Sequence, residues 1–377
     1  MVLGNERLFL RDLRPALSGL TGWLLSDAVL RSSSARAGAG VVNYVGPDGQ
    51  WDALYPEICG YYLQFLAQAA SLPGSEDARL RLAAVRVGSW LNLAGGLSAE
   101  PLTLYHRNEA DSDWRNSCLF TFDLAIILRG IAAAEAQWPG SMPDGLEQRY
   151  AVSLARININ GRLNSHLVRH HLPLIDIPEK WSTTLDVHHV KAAAALVGLQ
   201  RSDLDALART TLQDEAKLFN KEKAGRMREL HPFLYSIEGW LTIWGQTQAP
   251  EALQLAANAF EMILSQVDPV SGEMPPTANA FGAVVRSDVL AQTLRSGLVL
   301  EAAGQLKGTY AHLWGHTRLA LADAILARQS PEGGMLFDQV GYHRNSWASM
   351  FSWQALHFLE LTQNGKLDAV AAATSLI

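Results

Sequence analysis

Cysteine is scarce in this chain, and the scarcity argues against one class of protein at once. Only two cysteines, Cys59 and Cys118, occur among 377 residues, and each lies in an apolar stretch. A small secreted scaffold held together by disulfides needs several cysteine pairs. We therefore expect two buried free thiols and no disulfide framework.

Long hydrophobic runs are also missing. No apolar segment reaches the ~18 residues needed to cross a bilayer. Residues 1–36 have the pattern of an amphipathic helix interrupted by Arg7, Arg11, Asp12 and Arg14. They lack the basic start, apolar middle and small-residue cleavage site of a signal peptide. The sequence therefore predicts a soluble, cytoplasmic protein without a membrane span.

Positive charge is in short supply as well. The chain has 31 Lys and Arg against 37 Asp and Glu, a formal net charge of −6, and no basic stripe. Nucleic-acid-binding proteins use such a stripe to neutralise phosphates, so nucleic acid is not an expected partner. Hydrophobic residues make up 48% of the chain and charged residues only 18%, which indicates a large core.

What the chain does contain is a recurrence of six apolar stretches, each opened by polar or aromatic residues. Successive openings lie about 50 to 65 residues apart, roughly the length of a helical hairpin. The openings begin near Tyr55, Ser117, Ser182, His231, Ser287 and Asn345. Hairpins that bury their faces only against neighbours can close into one ring. We therefore predict an all-α fold, an (α/α)6 toroid, formed as a single domain by residues 1–377.

Apolar residues at intervals of three and four mark twelve helices in two sets. An outer set carries regularly spaced charges and should face solvent, namely 8–30, 75–93, 146–163, 203–219, 251–266 and 311–328. An inner set is poor in charge and should line the ring, namely 55–70, 117–136, 183–197, 232–244, 287–303 and 346–361. Glycines in the inner set are expected to let helices approach closely, namely Gly60, Gly130, Gly239 and Gly297.

The connections between these helices differ in length. Long connections precede the inner helices, whereas short ones, such as 198–202 and 245–250, follow them. Long ordered loops commonly build a binding face. We therefore predict one mouth at the N-terminal ends of the inner helices, with short strands at 41–45 and 334–337, and a small-molecule or glycan substrate.

Acidic residues lie near the same end of several inner segments. Glu57, Asp186 and Asp288 are the candidate catalytic acids and bases, and Asp123 is a candidate substrate contact. A carboxylate at a helix N-terminus can serve only as a cap or dipole partner. However, charges near a core are costly unless they are paired or used, and paired carboxylates in a cleft suit acid/base work on a glycosidic bond.

The fifth opening is the densest in polar groups. Asp288, Gln292 and Arg295 lie at helical spacing and share one face, and Arg286 precedes them. One interpretation is a substrate clamp, in which Arg286 or Arg295 holds a carboxylate and Gln292 bonds a hydroxyl. The alternative is an internal Asp–Arg pair.

Aromatic and histidine side chains complete the predicted site. Aromatic rings at the mouth can stack on sugars, although core packing explains most aromatic residues. One of the adjacent His188 and His189 is expected to reach the mouth, where it can exchange protons near neutral pH. The further candidate substrate contacts are Tyr55, Tyr61, Trp181, His189, His231, Tyr235, Asn345 and Trp347.

A metal site is not predicted. His166 and His170 have helical i, i+4 spacing and His171 adjoins them, but no HExxH glutamate lies between them. No cysteine pair is nearby. We expect neither a metal nor another cofactor.

Together these openings resemble a family of bacterial (α/α)6 toroid proteins encoded in exopolysaccharide and capsule gene clusters, the polysaccharide-biosynthesis proteins. The matching segments are 55–61, 122–124 with 128–130, 186–190, 231–239, 286–292, and 332–334 with 345–347. The resemblance implies a six-hairpin, glycosidase-like toroid acting on a polysaccharide or glycoconjugate. Wider relatives of this architecture include glycoside hydrolases, polysaccharide lyases and sugar epimerases.

Three functions therefore stay open. The first is a carbohydrate-active enzyme that hydrolyses, eliminates or epimerises, and the second is a non-catalytic glycan-binding scaffold. The third is a natural-product cyclase or tailoring enzyme on a terpenoid-cyclase-like toroid. A terpene cyclase would carry a DxDD or DDxxD motif, and the nearest segment, Asp111-Ser112-Asp113, is neither. The sequence does not decide the oligomeric state.

Overall fold

The computed structural model describes residues 11–32, 38–94, 101–106, 113–169, 176–280 and 283–377. Alternate helices of this part of the chain form an inner set that is largely buried. The inner helices are α2 (Pro56–Ala70), α4 (Thr121–Gln137), α6 (His189–Leu196), α8 (Leu230–Thr247), α10 (Ser287–Ala302) and α12 (Ser346–Gln363). The outer helices are α1 (Arg14–Leu24), α3 (Asp77–Ala94), α5 (Leu146–Ala155), α7 (Ser202–Glu222), α9 (Pro250–Leu264) and α11 (Gly308–Leu326). A short helix, α13 (Ala369–Thr374), follows the last inner helix.

The inner helices pack on one another in chain order and close a ring. Helix α2 packs on α4, α4 on α6, α6 on α8, α8 on α10, and α10 on α12, which returns to α2. Helices α2, α4, α6, α8 and α10 each pack on the outer helix that follows, while α12 packs on α1. The predicted (α/α)6 toroid is therefore confirmed.

Short antiparallel strands tie together the loops that precede the inner helices. The pairs are β1 (Leu30–Arg31) with β2 (Gly40–Val41), β4 (Ala53–Leu54) with β5 (Tyr105–His106), β6 (Cys118–Phe120) with β9 (His166–Val168), and β7 (Asn158–Ile159) with β8 (Arg162–Leu163). A three-stranded sheet joins β10 (Met335–Leu336), β11 (Arg344–Asn345) and β3 (Tyr44–Val45). Because β3 precedes α2 and β11 precedes α12, this sheet links the first inner opening to the last. The strands predicted at 41–45 and 334–337 are present in shortened form.

Two inner helices begin later than the sequence predicts. The second starts at Thr121 because Cys118–Phe120 pair with β9 as a strand. The third starts at His189 because Trp181–Thr183 form a 3-10 turn and Thr184 is extended. Strand pairing and a tight turn both leave the apolar pattern intact, so periodicity alone extends each helix too far.

Two outer helices end earlier than predicted. The first, predicted over 8–30, ends at Leu24 and is followed by turns and β1; residues 1–10 lie outside the described residues. The third, predicted over 146–163, ends at Ala155 and gives way to the β7–β8 hairpin. Asn160 and Gly161 have φ of 53° and 77°, as a type I′ turn requires. The Asn-Gly pair is a strong hairpin signal that a purely helical interpretation overlooks.

Glycines set the distance between inner helices α2 and α4. A Cβ on Gly60 would lie 2.6 Å from the carbonyl oxygen of Ile126, and a Cβ on Gly130 would lie 2.2 Å from that of Gly60. Neither backbone can retreat without moving its helix. The expectation of close approach is confirmed for this pair.

Replacing Gly60 by alanine is expected to lower the free energy of unfolding by about 2 kcal/mol or more, because overpacking forces the two backbones apart. Gly315, in the exposed middle of α11, is the matched control, since a Cβ there meets nothing within 4 Å. Gly315→Ala should stabilise by ~0.5–1 kcal/mol through reduced freedom of the unfolded chain. Denaturant unfolding of both variants checks this. Equal stability of the two variants would contradict the close approach of α2 and α4.

The remaining expectations on composition can be checked directly. Cys59 and Cys118 are both buried and free, as predicted. Among the described residues, no helix combines the length and apolarity that a bilayer crossing requires.

Candidate active site

A cavity of about 370 Å³ opens at the N-terminal ends of the inner helices. Five of the six inner helix starts and the loop before α6 contribute to its wall. The lining residues are Tyr55, Glu57, Ile58, Tyr61, Trp114, Arg115, Phe120, Asp123, Lys180, Trp181, Ser182, His231, Tyr235, Arg286 and Trp347. The volume is that of a pocket for a small organic ligand.

Local helix-start chemistry brings these side chains to the cavity. Tyr55 is the N-cap residue of α2, with Pro56 at the first helical position, so Glu57 stands in the first turn. Asp123 stands in the first turn of α4, and Arg286 is the N-cap residue of α10. The N-terminal ends of several inner helices therefore surround the cavity.

Glu57 and Asp123 form a carboxyl pair on one side of the cavity. Burial raises the pKa of Glu57 to about 7, although the hydroxyls of Tyr55 and Tyr61 and the charge of Lys191 act in the opposite direction. Burial, followed by the charge of Glu57, also raises the pKa of Asp123 well above its usual value. The Tyr55 hydroxyl lies 3.4 Å from Asp123 Oδ2. Two neighbouring carboxyls of this kind hold a proton at a pH where exposed carboxyls are ionised.

His231 stands on α8, three places around the six-helix ring from α2. Its Nδ1 lies 3.0 Å from Asp288 Oδ2 and 2.8 Å from Gln292 Oε1. Burial by itself would raise the pKa of Asp288, but the charges of Arg286 and His231 and their hydrogen bonds lower it. Arg286 donates to both oxygens of Asp288, at 3.1 and 2.6 Å, and the indole nitrogen of Trp347 donates at 3.2 Å. Asp288 is therefore an ionised, fully buried support for His231, and it does not line the cavity.

The hydrogen bonds beneath His231 fix which ring nitrogen carries the proton. Gln292 Nε2 donates to Glu238 Oε2 at 3.4 Å, so the amide turns its oxygen towards His231. Both neighbours of Nδ1 are then acceptors, and Nδ1 must be the protonated nitrogen. Nε2 is therefore the nitrogen without a proton whenever the ring is neutral.

Below the cavity lies a buried cluster of charges. Lys191 donates to Glu238 Oε2 at 2.6 Å and to the carbonyl oxygen of Ile377 at 2.6 Å. Arg295 donates to Glu238 Oε1 at 2.7 Å and to Gln354 Oε1 at 3.0 Å. Arg295 is fully buried. Gln292 and Arg295, predicted as substrate contacts, do not line the cavity, because both side chains are bonded within the core. Arg295 pairs with Glu238, and the partner of Asp288 is Arg286.

Three further candidates lie away from the cavity. Asp186 is paired with Arg226 at 3.2 Å and lines a neighbouring cleft. His189 is fully buried, contacts the carbonyl oxygen of Asp186 through Nδ1, and has its pKa lowered to about 4 by burial. Asn345 caps α12 by accepting from the amide of Ala348 at 2.8 Å. Asp186 and His189 therefore do not line the central cavity that they were predicted to share, because Asp186 is paired with Arg226 and His189 is buried.

Aromatic rings form much of the wall. Trp181 lies 6.0 Å from both Phe122 and His231, ring centroid to centroid, and Tyr235 lies 4.4 Å from His231. Tyr55, Tyr61, Tyr235, Trp181 and Trp347, all predicted, do line the cavity. Such rings present flat apolar faces edged by polar groups, an arrangement that suits a sugar ring.

Sequence reasoning found Arg286 but missed three other basic residues in or near the wall of the cavity. Arg115 is held by Asp113, its Nε donating to Oδ1 at 2.9 Å, and Lys180 stands at the rim. Lys191 lies 4.6 Å from the centre of the Tyr235 ring. A lysine inside an apolar helix, as in the segment His189–Leu196, is the one signal that could have indicated a buried charge.

No group of three potential metal ligands occurs among the described residues. His166 Nδ1 lies 2.9 Å from the hydroxyl of Ser165. His170 and His171, the other histidines considered for a metal, fall outside the described residues.

Comparison with known proteins rests on structure alone. No protein-family model matches the sequence. No curated protein matches it either. A D-mannose isomerase structure aligns with a TM-score of 0.69 at 12% identity, covering 95% of this chain and 100% of that one. The cellobiose 2-epimerase from Spirochaeta thermophila DSM 6192 aligns with a TM-score of 0.66 at 14% identity, over 95% and 100% of the two chains. An unsaturated glucuronyl hydrolase specific for heparin aligns with a TM-score of 0.64 at 12% identity, over 95% and 98%. At these identities the likeness establishes that this chain has the (α/α)6 toroid fold of those enzymes.

Proposed function

We propose that this chain is an acid/base enzyme that acts on a saccharide bound in the central cavity. The observation that carries the proposal is the pairing of two proton-transfer groups around one cavity. His231 lines the cavity with Nδ1 bonded to Asp288, so its neutral ring has Nε2 as the basic nitrogen, and Glu57 belongs to a carboxyl pair that retains a proton. Such a combination of a base and an acid is what proton transfer to and from a substrate requires.

The pairing of charged groups around the cavity indicates which class of sugar it binds. The sequence suggests a clamp for a substrate carboxylate, but Arg286 is bonded to both oxygens of Asp288 and Arg115 is bonded to Asp113. These two guanidinium charges are compensated within the protein, and two carboxyl groups also line the cavity. A neutral sugar therefore fits better than a uronate, and elimination from a uronate is the least supported of the three reactions.

Epimerisation or isomerisation is the reaction that the geometry favours. His231 Nε2 would take the proton from the carbon beside the carbonyl of an open-chain sugar. The carbonyl oxygen would receive the proton that Glu57 holds, giving an enediol. For isomerisation, protonated His231 gives its proton to the former carbonyl carbon while Glu57 takes back a proton from the hydroxyl of the neighbouring carbon. For epimerisation, the proton returns to the original carbon on its opposite face, and Glu57 takes back the proton that it gave to the oxygen. The structural likeness to a mannose isomerase and a cellobiose 2-epimerase agrees with this assignment.

Hydrolysis of a neutral glycoside is the second candidate. Glu57 and Asp123 are two carboxyl groups in one cavity, which is the equipment of most glycosidases. The sequence resembles polysaccharide-biosynthesis proteins. We therefore propose that epimerisation, isomerisation or hydrolysis by this chain modifies a polysaccharide or its precursors in the bacterial cytoplasm.

Incubation of the protein with glucose, mannose, cellobiose and mannobiose in heavy water, followed by NMR, tests the proposal. Epimerisation or isomerisation predicts a new sugar that carries deuterium at the carbon beside the carbonyl. Hydrolysis predicts monosaccharides released from the disaccharides without such labelling. Tight binding without conversion would instead support a glycan-binding scaffold, and no binding of any sugar would reject the saccharide assignment.

A further inference from the structure

A second concavity, here called the side cleft, lies beside the central cavity and has about 290 Å³ of space. The two concavities share Lys180 and Trp181 as a common wall. The side cleft is lined by Glu179, Lys180, Trp181, Thr184, Asp186, Val187, Arg226, Arg228, Glu229 and Pro232. Positively and negatively charged hydrogen-bonding groups therefore surround the side cleft.

We infer that the side cleft is the subsite for a second sugar ring, so that the substrate is a neutral saccharide of at least two rings, with Trp181 in contact with both rings. The inference rests on the proposed function and extends it. It also assigns a ligand-binding role to Asp186, which does not line the central cavity.

The anchoring of Asp186 favours ligand binding. Its Oδ1 accepts from the amide of Val187 at 2.7 Å and from Arg226 at 3.2 Å, whereas the described residues make no hydrogen bond to Oδ2. The Asp186 side chain is 32% exposed. A carboxylate held through one oxygen, with the other open to a cleft, is an acceptor fixed in position for a hydroxyl group.

The floor beneath Asp186 is rigid. Arg226 is 10% exposed and donates to Glu215, which is 2% exposed, at 2.8 Å. Glu215 also lies 3.5 Å from Arg162. Arg226 therefore has both its charge and its position set by the protein, and Asp186 need not reorganise when a ligand binds.

Trp181 lines both the central cavity and the side cleft. Its ring lies 6.0 Å from His231 and 5.0 Å from His188, between ring centroids, so one edge is packed against the central site. An indole that lines both spaces can contact both of two linked rings. Exposed Arg228 and Glu229 lie along the far side of the cleft and supply further hydrogen-bonding groups.

The experiment compares kcat/KM for one-ring and two-ring sugars, using glucose with cellobiose and mannose with mannobiose. In the unaltered protein the two-ring sugar is expected to be preferred by at least about tenfold, the contribution of one hydrogen bond to a charged group. Asp186→Asn keeps an oxygen for Val187 and Arg226 but replaces the open acceptor by a donor. The ratio of the two-ring to the one-ring kcat/KM should then fall about tenfold.

Arg228→Ala is a second variant that removes an exposed side chain of the cleft, and it should lower the same ratio. Arg81→Ala, an exposed arginine on outer helix α3, is the control and should leave the ratio unchanged. Equal kcat/KM for both sugar sizes, or equal losses on both in Asp186→Asn, would overturn the subsite while the proposed function stands. Failure of every sugar to bind or react would overturn the proposed function itself.

Discussion

Replacing His231 by glutamine is expected to lower kcat by about a thousandfold, within the range that a positioned proton-transfer group contributes. Glutamine can keep a polar contact with Asp288 but has no nitrogen that accepts a proton near neutral pH. Binding of the sugar should change much less than kcat, because the aromatic wall remains. Steady-state kinetics and calorimetric titration with the same sugar separate the two effects.

His312→Gln provides the matched control, since His312 is exposed on α11 far from the cavity, and it should retain full activity. Asp288→Asn should lose at least about a hundredfold, but less than His231→Gln, because Gln292 still accepts from Nδ1. If His231→Gln turned over substrate as fast as the unaltered protein, His231 could not be the base and the proposed chemistry would be wrong.

Glu57→Gln is expected to lower kcat by at least about a hundredfold, because the amide cannot deliver a proton. The substitution is nearly isosteric, so the fold should survive. Steady-state kinetics of Glu57→Gln checks the loss, with Glu76→Gln as the control, an exposed glutamate before α3. Full activity in Glu57→Gln would assign the proton to another group.

The same residue predicts the pH dependence. Glu57 acts in its protonated form, and its pKa is about 7, so kcat should fall as the pH rises through 7. That fall in kcat should be absent from the residual activity of Glu57→Gln.

The free energy of unfolding should also decrease as the pH rises. The folded state holds a proton that the unfolded state releases near pH 4.5, so this contribution is full below pH 4.5 and is lost as the pH rises through about 7. Unfolding of Glu57→Gln should lack this loss.

The ring and the location of its mouth could be predicted from sequence because both follow from repetition. Six openings at similar spacing each place polar groups at a helix start, and a closed ring brings helix starts together. Tyr55, Glu57, Asp123, His231, Arg286 and Trp347 reach the cavity for that reason. Helix ends were less predictable, since Asn160 and Gly161 turn the chain inside a pattern that is periodic throughout.

How deeply each polar side chain lies along the axis of the ring could not be predicted from the sequence. Asp288, Gln292 and Arg295 share one helical face, yet their partners differ. Asp288 contacts His231, and Gln292 links His231 to Glu238. Arg295 is bonded to Glu238 within the core. Position on a helix gives the direction of a side chain but not which neighbour it meets, because partners such as Glu238 come from another helix. Asp186 was misplaced for a related reason, since a tight turn before α6 moved it outside the wall.

Closure of the ring changes what the loss of one hairpin would mean. In an open stack of helical repeats, a terminal unit can fray while the others stay folded, and specialised end units cover the exposed faces. Here α12 packs on both α1 and α2, and strands β3 and β11 join the first opening to the last. In the part of the chain that the structure describes, no hairpin of the ring is terminal, so removing any one would expose two faces at once. The molecule should therefore unfold as one cooperative unit, with the first and last hairpins covering each other's faces.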